Sequence, residues 1–338
     1  MPKIAVIGTG LIGTSIGLAL RQSQLQKLEL VGTDAESHAR AGAQKRGAFH
    51  RVEHQLMAAV SNADIVILAT PIMAMKELLE LIGPHLPEGC VVTDVGSSKK
   101  MVLEWADQYL PRTVDFVGGH PLAGKETSGP ESADPDLFQG KVYCVIPSPR
   151  VRQQAVSQIT TLVEAIGARP FFIGAEEHDS FVAAVSHLPF LMSVALVGCT
   201  SKSANWDDIA QLASTGYRDL SRLASGDPVM HRDICLSNAA PLVAWIDAFI
   251  RELYRVRNLL GREPAPDGDA VKEVFHQAFD ARARWLAGLV NPEDRLRNPN
   301  TEIPTFAEGM GEMFAGRKLM QMQKRFFGDL RDGGPKKK

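Results

Sequence analysis

Short apolar runs alternate with longer amphipathic segments through the first half of the chain. Each run leads into a turn rich in Gly, Ser or Thr, and the segments between the runs place apolar residues at helical spacing. The runs are KIAVI (3–7), LELVGTD (28–34), ADIVILATP (63–71), CVVTDVGSS (90–98) and TVDFVGGH (113–120). Strands that alternate with helices predict an α/β fold with a parallel, doubly wound sheet, in which the carboxyl ends of the strands open into one crevice.

A G-x-G-x-x-G motif follows the first of these runs and opens the first predicted helix. Gly8 allows the tight turn, Gly10 lets backbone N–H groups approach a pyrophosphate, and Gly13 lets the helix pack closely on the strand. The helix N-terminus adds a partial positive charge beneath the phosphates. The motif therefore predicts a dinucleotide-binding turn, to which we also assign Leu11 and Ile12.

Asp34 ends the second run, 34 − 13 = 21 residues beyond the last glycine of the motif. An acidic residue there binds the ribose hydroxyls of NAD and repels the additional phosphate of NADP, so NAD is the predicted cofactor. A second interpretation makes Asp34 a helix cap ahead of AESHAR, and one side chain can serve in both ways. Arg40 and His38 lie nearby and weaken the preference for NAD. The turn of Thr70 and Pro71, which ends the third run, is assigned to the same cofactor site.

The strand pattern stops at Gly174, and helical spacing takes over beyond it. The sheet is expected to extend through two more strands, 141–147 and 169–174, with a helix over 151–166 between them. Helices are predicted in the second half over 179–202, 206–213, 228–260 and 269–289. The resulting domains are an NAD-binding Rossmann-type domain (1–174), an all-helical substrate and dimerisation domain (175–290), and a C-terminal extension (291–338) with a helix near 308–330 and a disordered basic tail.

The stretch FVGGHPLAGKETSG (116–129) carries the most suggestive chemistry. A strand ends in two glycines and presents His120 at the edge of the sheet where α/β enzymes hold their reactive groups. The small and polar residues that follow predict a loop with Lys125 and Glu126 in reach of a ligand. The alternative is a surface histidine in a turn.

Composition and charge narrow the partners of the chain. The formal net charge of −2 gives no basic footprint for nucleic acid. Four scattered cysteines without a C-x-x-C motif predict neither a disulfide framework nor a metal site, and they fit a reducing compartment. A strand that starts at residue 3 leaves no room for a signal peptide, so we expect a cytoplasmic protein. The apolar segment 181–199 approaches the length of a membrane span, but its polar interruptions favour a buried helix at a subunit interface.

In combination, several motifs closely resemble the prephenate/arogenate dehydrogenase family of tyrosine biosynthesis, from residue 3 to about 260. These motifs are GTGLIG, DVGSSKK, FVGGHPLAGKETSG, the LF-x-G of 137–140, VSHLP (185–189) and GYRDLSRLASGDPVMHRDI (216–234). The resemblance implies a Rossmann domain followed by a helical dimerisation domain, and hence a homodimer. It also implies an oxidative decarboxylation in which NAD takes a hydride from the ring carbon that bears the hydroxyl and the ring carboxylate leaves as carbon dioxide. Prephenate is the predicted substrate, with arogenate as the alternative.

The resemblance assigns catalytic roles to His120 and Ser97. His120 matches the histidine that accepts a hydrogen bond from the substrate hydroxyl, which is general-base assistance. The imidazole must be neutral to accept, so activity is expected to rise with pH through a group near about 6.5. Ser97 matches the serine that orients this histidine, and the alternative for Ser97 is a helix N-cap.

Substrate binding is assigned by the same resemblance to Arg222, His187, Glu126 and Thr215. Arg222 matches the arginine that holds a substrate carboxylate, which a guanidinium pairs in bidentate fashion, and Asp219 is expected to brace it at helical spacing. His187 either lines the substrate pocket or is a hydrogen-bonded core histidine.

Two departures from the family pattern leave the substrate side chain open. Many prephenate-specific relatives read SHLPH and M-W-R-D, whereas Phe190 and His231 stand at the varied positions here. Two other interpretations also remain: a dehydrogenase of the 3-hydroxyacid or pyrroline-carboxylate type, and a non-catalytic NAD-sensing dimer. The first leaves GGHPLAG and SHLP without explanation, and the second makes His120, Ser97 and Arg222 coincidental.

Overall fold

A computed structural model describes residues 1–25 and 27–290, and an eight-stranded sheet organises the first half of this part of the chain. The strands are β1 Lys3–Ile7, β2 Glu29–Thr33, β3 Arg51–Glu53, β4 Ile65–Leu68, β5 Val91–Asp94, β6 Asp115–Pro121, β7 Val142–Pro147 and β8 Arg169–Phe172. Their order across the sheet is β3-β2-β1-β4-β5-β6-β7-β8. All neighbours are parallel except β6 and β7, which are antiparallel. The predicted fold class is therefore confirmed, with one antiparallel pairing and a short strand β3 that the sequence pattern does not predict.

The chain reverses direction across the sheet between β1 and β4. In open α/β sheets ligands bind at such a switch point, outside the carboxyl ends of the strands. The turns after β1 and β4 contain Gly8 and Thr70, which lie side by side there, since a Cβ added to Gly8 would come within 3.1 Å of Thr70 Cγ2.

Thirteen α-helices lie within the described residues. They are α1 Leu11–Gln22, α2 Ser37–Lys45, α3 Leu56–Val60, α4 Ile72–Ile82, α5 Lys100–Tyr109, α6 Gln153–Ala165, α7 Ala175–Val182, α8 Leu188–Thr200, α9 Trp206–Gln211, α10 Thr215–Ser221, α11 Pro228–Ser237, α12 Ala239–Leu260 and α13 Gly268–Leu286. The predicted helix over 228–260 breaks at Asn238, whose backbone leaves the helical region. The short helix α10 lies between the helices predicted over 206–213 and 228–260, in a stretch for which no helix is predicted.

The sheet is buried on both faces. Alternate residues of β1 point to opposite sides, so that Ile4 and Val6 belong to one apolar cluster and Ala5 and Ile7 to the other. Every residue of β1 and of β6 is buried, as expected for inner strands covered by helices on both sides. Burial of both faces of the sheet explains the near-continuous apolar runs in the sequence.

The described chain divides into two compact units, Met1–Asp247 and a second unit that begins at Ala248. The domain boundaries after residues 174 and 290 stay predictions. The predicted helix near 308–330 and the basic tail lie outside the described residues.

One helical run, Ala175–Thr200, is long and apolar enough to span a membrane by length and composition alone. Only 28% of its apolar window is buried, with Phe181 52% and Val185 77% exposed, so the burial expected for this segment is not found within one chain. The helices α11 and α12 reach the same length and apolar composition only when they are taken together as one span, which is bent by 95°. Core helices of soluble proteins also have this length and composition, so one or two such helices are weak support for a membrane span.

Candidate active site

In the Gly-rich turn between β1 and α1, neighbouring backbone atoms leave no room for a side chain at two of the glycines, whereas the space at the third is empty. Gly8 has φ +98°, and a Cβ there would lie 2.3 Å from the carbonyl oxygen of Ala69. A Cβ on Gly13 would lie 1.9 Å from the carbonyl oxygen of Gly8, whereas a Cβ on Gly10 would meet nothing within 4 Å. The open space at Gly10 lies at the N-terminus of α1, where the N–H groups of the first turn, including Leu11 and Ile12, lack helical acceptors. This cradle fits an anionic phosphate group.

Asp34 lies against the same turn. Its Oδ2 accepts the N–H of Thr9 at 2.6 Å, and its Oδ1 accepts the N–H of Glu36 at 2.9 Å. A carboxylate offers about four acceptor positions, so Asp34 retains capacity for ribose hydroxyls. The guanidinium of Arg40 donates to the backbone carbonyls of Asp34 and Ala35. Asp34 thus braces the glycine turn, whereas the alternative role as the cap of α2 is not observed, because the N-cap residue of that helix is Glu36.

The turn after β4 borders the cofactor cradle. Thr70 Oγ1 is buried and has no hydrogen-bond partner among the described residues. Pro71 follows as the exposed residue that precedes α4. A buried hydroxyl without a partner is unusual, and here it lies beside the glycine turn. The residues at this edge of the sheet therefore fit a dinucleotide.

His120 lies on β6, near the carboxyl end of the strand, and is 7% exposed. Its Nδ1 is 2.9 Å from Nε2 of His178, and Nδ1 of His178 is 2.8 Å from Oδ1 of Asp179. Burial, followed by electrostatic interactions with His178, Lys99 and His187, holds the pKa of His120 well below its ordinary value. The expected titration near 6.5 is therefore moved to more acidic pH.

His178 and Asp179 are functional candidates that sequence reasoning misses. They lie in α7, in the stretch AEEHDSFV, which has the acidic first turn of an ordinary helix N-terminus. No local motif marks them, because their contact with His120 joins residues 58 positions apart.

The carboxylate of Asp179 also caps the helix that follows β5. Its Oδ1 accepts the N–H of Lys99 at 2.7 Å and its Oδ2 the N–H of Lys100 at 2.9 Å. The side chain of Lys99 is fully buried, where it forms an ion pair with Asp94 and donates to the carbonyl of Gly119 at 2.7 Å. Burial lowers the pKa of Lys99. The absence of a side chain at Gly119 lets the backbone of Asp94 come close, because a Cβ there would lie 2.4 Å from the carbonyl oxygen of Asp94.

Ser97 is half-buried in the turn between β5 and α5. Within the described residues its hydroxyl has no hydrogen bond to His120, whose ring partner is His178. The neighbouring Ser98 is buried and donates to Ser237 Oγ at 2.6 Å. The capping role considered for Ser97 belongs to Asp179, and its role in orienting His120 stays a prediction.

His187 is fully buried at the end of a π-helical turn, Ala183–His187, between α7 and α8. The Asn238 amide donates to the carbonyl of Asp179 at 2.8 Å and contacts Nδ1 of His187 at 3.2 Å. Burial lowers the pKa of His187 to about 4, so the ring is neutral at physiological pH. With Nδ1 as the acceptor, its proton lies on Nε2, which is buried without a partner among the described residues. His187 therefore presents an unused hydrogen-bond donor.

Arg222 and Glu126 form an exposed ion pair. Glu126 lies in the loop that follows β6, and Arg222 begins the 3-10 turn after α10. The expected brace from Asp219 is not observed, because Glu126 is the ion partner of Arg222 in the described structure. Thr215 is exposed at the start of α10, and within the described residues no hydrogen bond of its side chain joins it to His120 or Arg222.

Phe190 and His231, which mark the departures from the family pattern, stack on each other. Their ring centroids are 4.2 Å apart and their planes are inclined by 5°. Phe190 also lies 6.1 Å from His187, so the pair adjoins the histidine with the unused donor.

The strand order, the glycine turn at the switch point and a buried histidine at the end of β6 define a dinucleotide-binding oxidoreductase. Two family descriptions match this chain: prephenate dehydrogenase, nucleotide-binding domain, over residues 16–171, and prephenate dehydrogenase, dimerization domain, over residues 174–277. The chain belongs to the prephenate dehydrogenase family. The family and the enzyme class predicted from the motifs are thereby confirmed.

Individual relatives agree with this assignment. The chain is 35% identical to prephenate dehydrogenase of Bacillus subtilis over 281 residues, which cover 82% of this chain and 75% of that protein. It is 31% identical to cyclohexadienyl dehydrogenase of Zymomonas mobilis, with 82% and 94% covered. Among solved structures, prephenate dehydrogenase from A. aeolicus in complex with hydroxyphenyl propionate and NAD+ matches with a TM-score of 0.78 and 28% identity, covering 84% of this chain and 98% of that one.

Proposed function

We propose that this chain is an NAD-dependent prephenate dehydrogenase of tyrosine biosynthesis. The reaction converts prephenate to 4-hydroxyphenylpyruvate and carbon dioxide. The hydride from the ring carbon that bears the hydroxyl would be accepted by NAD, which supplies the oxidising power when bound, and the hydroxyl proton passes to the protein. The ring carboxylate leaves as carbon dioxide, its bonding electrons complete the aromatic ring, and the proton returns to the ring oxygen to give the phenol. The observation that supports this function best is the buried His120 near the carboxyl end of β6, at the same edge of the sheet as the dinucleotide cradle, in a chain of this family.

His120 acts as the general base. Its lowered pKa keeps the ring neutral at physiological pH, so Nε2 is able to accept the proton of the substrate hydroxyl. Withdrawal of this proton moves electron density from oxygen toward the ring as the hydride departs. Ser97 lies in the turn before α5 and assists in orienting the substrate or the base.

Arg222 and His187 hold the substrate. Arg222 exchanges its partner Glu126 for a substrate carboxylate, because both carboxylates fit the same guanidinium. The Nε2–H of His187 donates to a substrate oxygen, which satisfies the donor that the protein leaves unpaired. By resemblance to the family, Thr215 also contributes to substrate binding.

NAD is held by the glycine turn and by Asp34. The N–H groups at the start of α1 bind the pyrophosphate, Asp34 accepts from the ribose hydroxyls, and Thr70 and Pro71 border the nicotinamide half. An Asp34→Ser variant should lose preference for NAD over NADP, because the carboxylate that repels the additional phosphate is removed.

The test of this function is turnover. Purified protein is mixed with NAD and either prephenate or arogenate, and the appearance of NADH is followed. We expect prephenate to give the higher kcat/KM. A higher value with arogenate would assign the amino-acid substrate instead, and binding of NAD without turnover of either would indicate a non-catalytic sensor.

The functional unit is a homodimer formed through the helical half of the chain. The protein acts in the cytoplasm. The exposed apolar residues of the Ala175–Thr200 run, such as Phe181, Val185 and Val194, support an interface rather than a membrane span. Val185→Asp should convert dimer to monomer in light scattering after gel filtration, whereas the wild type should remain dimeric without detergent. A wild type that requires detergent would contradict this assignment.

A further inference from the structure

One buried imidazole and one carboxylate lie in series behind the proposed base. Nδ1 of His120 contacts Nε2 of His178 at 2.9 Å, and Nδ1 of His178 contacts Oδ1 of Asp179 at 2.8 Å. The two rings meet edge to face, with planes inclined by 75°. His178 is 1% exposed and Asp179 is 2% exposed, so water does not compete for these hydrogen bonds.

The carboxylate determines where each proton of the series lies. Both oxygens of Asp179 already accept backbone N–H groups at the start of α5, and an ionised carboxylate is only an acceptor. The proton between Asp179 and His178 therefore lies on Nδ1 of His178. A neutral His178 then has its lone pair on Nε2, so the proton between the two rings lies on Nδ1 of His120.

This arrangement leaves the lone pair of a neutral His120 on Nε2, which is the atom that a general base needs. No hydrogen bond engages this nitrogen within the described part of the chain. We propose that His178 and Asp179 are positioning residues that hold His120 in the tautomer with a bare Nε2. The inference rests on the proposed function of His120 as the base for the substrate hydroxyl. When Nε2 takes up the proton, Nδ1–H continues to donate to His178, so no hydrogen bond of the series has to break.

The tautomer is measurable in the free protein, without cofactor or substrate. Protonated and bare imidazole nitrogens differ in 15N chemical shift, and comparison with His120→Asn identifies the signals of His120. We expect a protonated Nδ1 and a bare Nε2 in the wild type, and loss of this preference in His178→Leu. A wild-type His120 that carries its proton on Nε2 would overturn the proposal. Because this measurement needs no turnover, it separates failure of the proposal from failure of the proposed function.

Kinetics of two matched variants test the same residue in the active enzyme. His178→Leu removes the acceptor, whereas His178→Gln places an amide oxygen close to the former Nε2. General-base assistance contributes about 10²- to 10⁴-fold, and we expect His178→Leu to lose about 10- to 100-fold of it in kcat. The KM values for NAD and prephenate should change little, and His178→Gln should recover much of the loss. A glutamine variant no better than leucine contradicts a role through the hydrogen bond.

A double-mutant cycle separates positioning from structure. If His178 acts through His120, then in a His120→Asn background the His178→Leu change should lower the residual rate by less than about twofold. Equal losses in both backgrounds would mean that His178 only supports the fold and would overturn the proposal. Thermal unfolding of all four proteins shows whether each variant is folded at the assay temperature.

Discussion

Gly10 and Gly13 offer a matched test of the nucleotide-binding turn, because they differ in what a methyl group would meet. A Cβ at Gly10 faces open space, whereas at Gly13 it would lie 1.9 Å from the carbonyl oxygen of Gly8. Gly10 has φ −73°, which any L-residue adopts. We therefore predict that Gly10→Ala impairs NAD binding with the fold intact, and that Gly13→Ala impairs the fold itself.

The magnitudes follow from these contacts. Gly10 is the N-cap residue of α1, where Ala in place of Gly lowers the free energy of unfolding by at most about 1 kcal/mol. The added methyl fills the space in front of the helix N-terminus, and loss of one charge-assisted hydrogen bond of about 1.5–3 kcal/mol raises the Kd for NAD about 10- to 150-fold. At Gly13 the contact must open to at least 3.0 Å, a shift of 3.0 − 1.9 = 1.1 Å between α1 and the turn. Overpacking of this kind costs about 1–3 kcal/mol, or about 2–12 °C in Tm.

Calorimetric titration with NAD and thermal unfolding without NAD measure the two effects separately. Gly268→Ala is the control, since Gly268 begins α13 and a Cβ there meets nothing within 4 Å. This variant should keep the wild-type Kd and should not lower Tm. Wild-type affinity in Gly10→Ala would refute the placement of the pyrophosphate, and a wild-type Tm in Gly13→Ala would refute the packing argument.

Three further predictions concern the chemistry and the core. Because burial lowers the pKa of His120, kcat/KM should be flat through pH 6.5 and fall only at more acidic pH, and an acid limb centred at 6.5 in a pH–rate profile would contradict this. Glu126→Gln frees Arg222 and should lower the KM for prephenate about two- to fivefold in steady-state assays, whereas Arg222→Lys should raise it; a KM unchanged in both would remove the pair from the site. Lys99→Met leaves the Asp94 carboxylate buried and unpaired and should lower the free energy of unfolding by about 3–5 kcal/mol in urea titrations, with partial recovery in the Asp94→Asn/Lys99→Met double variant.

The sheet and the cofactor turn are predictable from sequence because local patterns cause them. Inner parallel strands need apolar side chains on both faces, which produces the runs at β1, β4 and β5. Gly13 is required by a local contact, since a Cβ there would meet the carbonyl of Gly8, five residues earlier. The strand β3 escapes prediction because its three residues are too few to show a period. The helix α10 is not predicted because it has only seven residues and contains a glycine, which disfavours a helix.

The surroundings of the base are not predictable in the same way. His120 is marked by the strand that carries it, but its partner His178 comes from a helix 58 residues later, and only tertiary packing brings the two rings together. The partner of Arg222 likewise lies 96 residues away, so helical spacing wrongly favours Asp219. Sequence patterns report contacts within an element, whereas these contacts join elements.

Asp179 connects three parts of the proposed site, which decides how the site can be tested. Its carboxylate caps α5 and orients His178, and its backbone carbonyl receives the amide of Asn238, which in turn contacts His187. A change at Asp179 would therefore alter the start of α5 and the tautomer of the base together, and a lost rate could not be assigned to either. His178 has no such second connection among the described side-chain contacts, since its two ring nitrogens serve only His120 and Asp179. For this reason substitutions at His178 separate proton positioning from helix capping, and substitutions at Asp179 do not.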